Sequence, residues 1–186
     1  MSDGWDRESW SLEATVIDIP LAERFTIARE TWDSTKNVFV TLRFAGVAGV
    51  GESSPAGRWD ETVESVLAQL EQTDPAQLGN PFHLEGVREL LPPGAARAAL
   101  DIALHDLAGK IAGLPVCKLL GVKGRKLPPT SLTIPITDRD KMLERTRLLA
   151  DHPALKVKVG FDGDVDVIAG IREVFKGALR VDANEG

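Results

Sequence analysis

Lys156 and Lys158 stand two apart in an apolar run, Leu155-Lys156-Val157-Lys158-Val159, so an extended chain puts both ammonium groups on one face. The next apolar run, Leu179-Arg180-Val181-Asp182, closes on a carboxylate, and Asn184 follows it. Two amines and a carboxylate at the ends of successive strands suit a base beside a metal ion: proton transfer and charge stabilisation rather than packing. Arg180 has the same strand parity as Asp182, which would turn it inward to pair with that carboxylate. Taken alone, such lysines more often form a solvent-facing stripe on an edge strand. Asp and Asn after a strand more often mark a turn.

The elements around these residues alternate. Leu132-Thr133-Ile134-Pro135-Ile136 reads as a strand, Arg139 to Ala150 as a helix, Lys156 to Val159 as a second strand. A second helix carries Val167, Ile168, Ile171, Val174 and Phe175, and Leu179 to Asp182 is the third strand. Strand–helix alternation predicts a parallel sheet with its site at the strands' C-terminal ends. No G-x-G-x-x-G follows any of these strands, which disfavours a dinucleotide fold.

The preceding residues have a different texture, α+β in pattern. Ala14 to Ile19, Val38 to Phe44 and a short segment from Val47 predict strands, the last two joined by turn residues around Gly46. Val63, Val66, Leu67 and Leu70 predict a helix over about 61–72. The strongest helix runs from Ala95 to about Ile111, where Ala96, Ala99, Leu100, Ala103, Leu104 and Leu107 line one stripe whose small residues permit close approach of a neighbour. Gly113 and Pro115 stop it. The division expected is 1–127 and 128–186.

Composition narrows the class. With 43% hydrophobic residues the chain can bury a real core, and a formal charge of −6 with dispersed basic residues argues against a nucleic-acid partner. A single cysteine, Cys117, excludes an internal disulfide, fits a reducing compartment, and reads as a buried thiol. Nothing resembles a signal peptide at Met1-Ser2-Asp3-Gly4-Trp5, and no apolar run approaches the roughly 20 residues of a membrane span. The expectation is a soluble, cytoplasmic protein without a membrane partner. His83, His105 and His152 lack ligand spacing and read as structural or surface residues.

An ordered set of motifs resembles the mandelate racemase and muconate lactonizing enzyme branch of the enolase superfamily. It comprises Gly51-Glu52 with Pro55, the run Ala98-Ala99-Leu100-Asp101-Ile102-Ala103-Leu104-His105-Asp106-Leu107-Ala108-Gly109-Lys110, Leu119-Leu120-Gly121, Lys156-Val157-Lys158 and Asp182-Ala183-Asn184. Within that branch, Phe25-Thr26-Ile27-Ala28-Arg29, the segment Glu64 to Gln69 and Asp182 to Gly186 look most like the dipeptide epimerases, including the L-Ala-D/L-Glu epimerases. The resemblance implies an α/β chain: an α+β capping domain over residues 1–127, then the first three βα units of a truncated TIM-like (β/α)7β barrel over 128–186.

It also implies a reaction, removal of the proton next to a carboxylate, assisted by Mg²⁺ that stabilises the developing charge. By resemblance Lys158 is the base on one face, Lys156 its auxiliary cation, Asp182 the first metal ligand and Asn184 a supporting neighbour. A free lysine ionises near pH 10.4, and a neighbouring cation lowers that value. Thr133 is a substrate contact on the first barrel strand by resemblance, or a strand-propensity threonine. Arg29 and Arg58 flank the capping segments, where each could fork onto a substrate carboxylate or remain plain surface charge.

The implied partner is a small molecule, a dipeptide or another carboxylate, with homo-oligomeric assembly as in related barrels. Three barrel strands stand against about eight in a closed barrel. By resemblance the remaining metal carboxylates and the opposite-face lysine belong to later strands, and the 186-residue chain is expected to be inactive alone. Two alternatives stay open. One is a muconate cycloisomerase or o-succinylbenzoate synthase-like sibling; the other is a non-catalytic, shortened binding or assembly module.

Overall fold

A computed structural model describes residues 9–26, 31–122 and 127–183. The chain divides into two compact units: one of residues 1–19 and 35–125, the other of residues 20–34 and 126–186.

A three-stranded sheet in the order β1-β2-β3 consists of β1 (Trp10–Thr26), β2 (Thr31–Phe44) and β3 (Val47–Ser53), and residues 10–19 and 35–53 of it belong to the first unit. Ala45 and Gly46, both at positive φ (50° and 76°), make the two-residue turn that sets Phe44 opposite Val47 and fixes the antiparallel β2–β3 register. Alternation then decides the buried face: Val38, Val40, Leu42 and Phe44 of β2 are buried. They share a core with Ala96, Ala99, Leu100, Ala103, Leu104 and Leu107 of α3 (Ala95–Ala112).

The small residues of α3 allow unusually close contact with β3. A Cβ at Gly51 would sit 1.9 Å from the Ala99 carbonyl oxygen, and one at Gly49 would sit 2.1 Å from that of Ala103. The same helix covers the edge of β3. Asp106 accepts a hydrogen bond from the Val50 N–H at 2.8 Å, and the Lys110 ammonium donates to the Ala48 carbonyl at 2.9 Å and to Asp106 at 2.6 Å. Edge backbone groups that would otherwise invite another strand are thereby satisfied.

Helix α1 (Val63–Glu71) starts at a capping box in which Thr62 and Ser65 exchange side-chain and backbone hydrogen bonds. Short helices α2 (Val87–Leu90) and α4 (Val116–Leu119) and single 3-10 turns at 57–59, 75–78 and 84–86 fill the connections. None of these short pieces is predicted from periodicity. Cys117 corrects its expectation: it lies on the one-turn α4, whose neighbours face solvent, and is exposed rather than buried.

In the second unit, β4 (Leu132–Ile134), α5 (Arg139–Leu148), β5 (Ala154–Lys158), α6 (Asp164–Val174) and β6 (Ala178–Asp182) alternate, and the three strands pair in parallel in the order β4-β5-β6. Asp138 caps α5, accepting from the Lys141 N–H at 3.0 Å. The helices pack on one face of the sheet, around Ile134, Leu155, Val157, Met142, Ile171 and Phe175. The opposite face carries the polar residues of β5 and β6. No helix of the described residues is long and apolar enough to cross a membrane.

Candidate active site

A period of two assigns the side chains of β5: Leu155 and Val157 join the helix-side core, so Lys156 and Lys158 project from the other face. On β6, Asp182 stands opposite Lys158 and Arg180 opposite Lys156. The ladder extends past β5, since the Val159 N–H donates to the Asp182 carbonyl at 3.1 Å. That extension fixes the register on which the site depends.

Both lysines converge on one atom. Lys158 Nζ lies 2.8 Å and Lys156 Nζ 3.2 Å from Asp182 Oδ2. The Lys158 side chain is only 8% exposed, against 30% for Asp182 and 37% for Lys156. The more buried ammonium has the shorter contact, as a desolvated charge requires. Thr133 stands beside Lys156 in the β4–β5 register, and Ser131 precedes it by one strand period.

Arg180 departs from expectation. It shares the face but donates to the Ser131 hydroxyl rather than to Asp182. Ser131 was missed in the sequence; its parity with Thr133 is the one signal that places it on this face. With three cations and one carboxylate, these residues leave a net positive surface.

Arg58 belongs to the first unit, in the turn Gly57–Trp59, with its guanidinium over the Trp59 ring at 5.0 Å from the centroid. Arg29 and Asn184 lie outside the described residues. His105 is structural, its Nδ1 2.8 Å from the Asp101 carbonyl on its own helix.

Among the described residues, no group of three His, Cys, Asp or Glu side chains could hold a metal. Asp182 offers a hard oxygen of the right chemistry, but Mg²⁺ takes about six oxygens in a near-octahedral shell. Its Oδ2 already accepts a hydrogen bond from Lys158 and forms an ion pair with Lys156. These residues supply one ligand and do not complete a site.

Comparison with known proteins gives the geometry a context. Residues 11–121 match the family model described as mandelate racemase / muconate lactonizing enzyme, N-terminal domain. An L-Ala-D/L-Glu epimerase of Bacteroides thetaiotaomicron is 40% identical over 175 residues, which is 91% of this chain and 46% of that protein. An enolase family member from Agrobacterium tumefaciens with homology to dipeptide epimerases, solved with sodium and L-Ala-L-Glu, superposes with a TM-score of 0.86 at 32% identity, covering 96% of this chain and 55% of that one. A dipeptide epimerase from Enterococcus faecalis, complexed with Mg and L-Leu-L-Tyr, gives 0.84 at 33% identity, with 93% and 52% covered. The chain thus spans about half the length of the relatives it matches.

Proposed function

The chain belongs to the mandelate racemase / muconate lactonizing enzyme family, and from that membership and its paired lysines we propose that it carries one half of a dipeptide epimerase site. The observation that carries the reading is the convergence of Lys156 and Lys158 on Asp182 Oδ2. A base, an auxiliary cation and an anionic ligand meet on one face of a parallel sheet. In this reading, residues 1–127 are the capping domain and residues 128–186 open a (β/α) barrel.

Lys158 takes the proton from the carbon next to the substrate carboxylate. Lys156 and Arg180 favour an anionic group on that face through their charge, and Thr133 touches the substrate beside Lys156. By family resemblance Arg58 and Arg29 are assigned to substrate carboxylates, and Asn184 to the support of Asp182. Mg²⁺, when bound, would supply positive charge where negative charge develops as the proton leaves, and Asp182 is this chain's oxygen for it. The substrate is an Ala-Glu-type dipeptide, the setting cytoplasmic and the assembly homo-oligomeric. Relatives named for L-Ala-D/L-Glu substrates support this choice over a muconate cycloisomerase.

The test is α-proton exchange in D2O with Mg²⁺, using the gene's whole product from its native source and the 186-residue polypeptide of 20.1 kDa in parallel. Exchange on Ala-Glu-type dipeptides by a product longer than this chain, lost in Lys158→Met, is the expected result. The short polypeptide should not turn over. Conversion of muconate without dipeptide exchange would assign the sibling chemistry, and no exchange on either substrate by the whole product would reject the epimerase reading.

A further inference from the structure

Lys156 reaches Asp182 on a diagonal, one strand period beyond its own β6 neighbour, Arg180. Lys156 and Arg180 stand directly opposite each other on adjacent strands and share a face, where like charges repel. Their side chains diverge, Arg180 to Ser131 and Lys156 to Asp182. We propose that Arg180 is a positioning residue: anchored on Ser131 across β5, its cation steers the Lys156 ammonium onto Asp182 beside Lys158.

Three observations carry this. Ser131 precedes β4, so Arg180 must pass over β5 to reach it, and the β5 residue of that face at that level is Ala154, fully buried and too small to obstruct a guanidinium. The acceptor is a neutral hydroxyl, so the guanidinium, which stays charged at all ordinary pH, is anchored without being neutralised. On its other flank the described residue beside Lys156 in the register is Thr133, which carries no charge. A cation on one side, a neutral residue on the other and a carboxylate ahead leave one favoured direction.

The catalytic meaning of this device rests on the lysine-base reading, but its test needs no turnover, so the two fail separately. In the full 186-residue chain, ¹⁵N–¹H correlations of lysine ammonium groups at low temperature show only those shielded from exchange by a hydrogen bond or a close ion pair, as Lys158 and Lys156 are on Asp182. Wild type should give such signals for both Lys156 and Lys158. Arg180→Met should weaken the Lys156 signal by up to about fivefold, the population change that like-charge cross-strand repulsion supports, while Lys158 keeps its own. Arg180→Lys should restore it, which a purely structural role for the guanidinium would not predict.

An unchanged Lys156 signal in Arg180→Met overturns the proposal. So do equal losses at Lys156 and Lys158, failure of Arg180→Lys to restore, or absence of a Lys156 signal in wild type. Should Arg180→Met not fold, Ser131→Ala decides: a selectively weakened Lys156 signal supports the steering, and an intact one refutes it.

Discussion

Replacing Asp182 by Asn keeps the shape of the side chain and removes the one carboxylate that two ammonium groups share. At 2.8 Å and an effective dielectric near 20, the Lys158–Asp182 attraction is about 6 kcal/mol before desolvation. Desolvation cancels much of that when both partners are present. It does not when one is deleted, because the Lys158 charge, at 8% exposure, then loses the carboxylate 2.8 Å from it. Deleting one partner of a buried pair costs about 3–5 kcal/mol. Asp182, at 30% exposure, admits some water, which places Asp182→Asn at the lower end, about 3 kcal/mol.

Lys158→Met should cost far less, roughly 1 kcal/mol, since methionine fills similar space and Asp182 retains Lys156. The double variant should then recover about 2 kcal/mol of coupling between the sites. The assay is urea unfolding of the 186-residue chain followed by circular dichroism, with midpoints compared at constant m-value. A cost for Asp182→Asn below about 1 kcal/mol, or two costs that add without coupling, would refute the buried-pair account.

Two other outcomes follow from contacts of α3. Gly51→Ala places a Cβ 1.9 Å from the Ala99 carbonyl oxygen and 2.7 Å from the Ala103 nitrogen, backbone atoms that cannot rotate away. Strand and helix must separate, at about 3 kcal/mol or more; a melting temperature within about 2 °C of wild type would exclude that contact. The Asp106 carboxyl is pushed up by burial, the largest single influence, yet the Lys110 ammonium and the Val50 N–H together hold it below its ordinary value. A depressed carboxyl contributes stability above its unfolded pKa, near 3.8, and loses it as pH falls through the lower folded value. At 36% side-chain exposure the effect is screened to under about 1 kcal/mol. Wild type should therefore lose stability below pH 4 more steeply than Asp106→Asn, and parallel pH curves would count against the clamp.

Where one face of an element is buried, the sequence already shows it. The stripe from Ala96 to Leu107 predicts α3 nearly to its ends because only a 3.6 period fits those residues, and its alanines predict the close approach that Gly49 and Gly51 complete. The first two strands extend well beyond the segments predicted, 14–19 and 38–44. Pro20 interrupts the apparent strand pattern, yet β1 is at the edge of its sheet, where proline is accommodated. Edge position is a property of the assembled sheet, so a local reading stops the strand too early. The one-turn helices escape periodicity for the same reason: four residues give no repeat to detect.

The site divides along the same line. Parity alone puts Lys156, Lys158, Arg180 and Asp182 on one face, because a two-residue period depends on nothing beyond the strand itself. Pairing does not follow from parity. Arg180 and Asp182 share a face and were expected to meet, but β6 neighbours project side by side, while the carboxylate has two ammonium groups converging from β5. Arg180 turns instead to a serine that nothing in its own strand announces. The choice among partners is thus made by the strand next door, through register and the sign of the neighbouring charges. Face assignment is one-dimensional and legible; partner assignment needs the sheet.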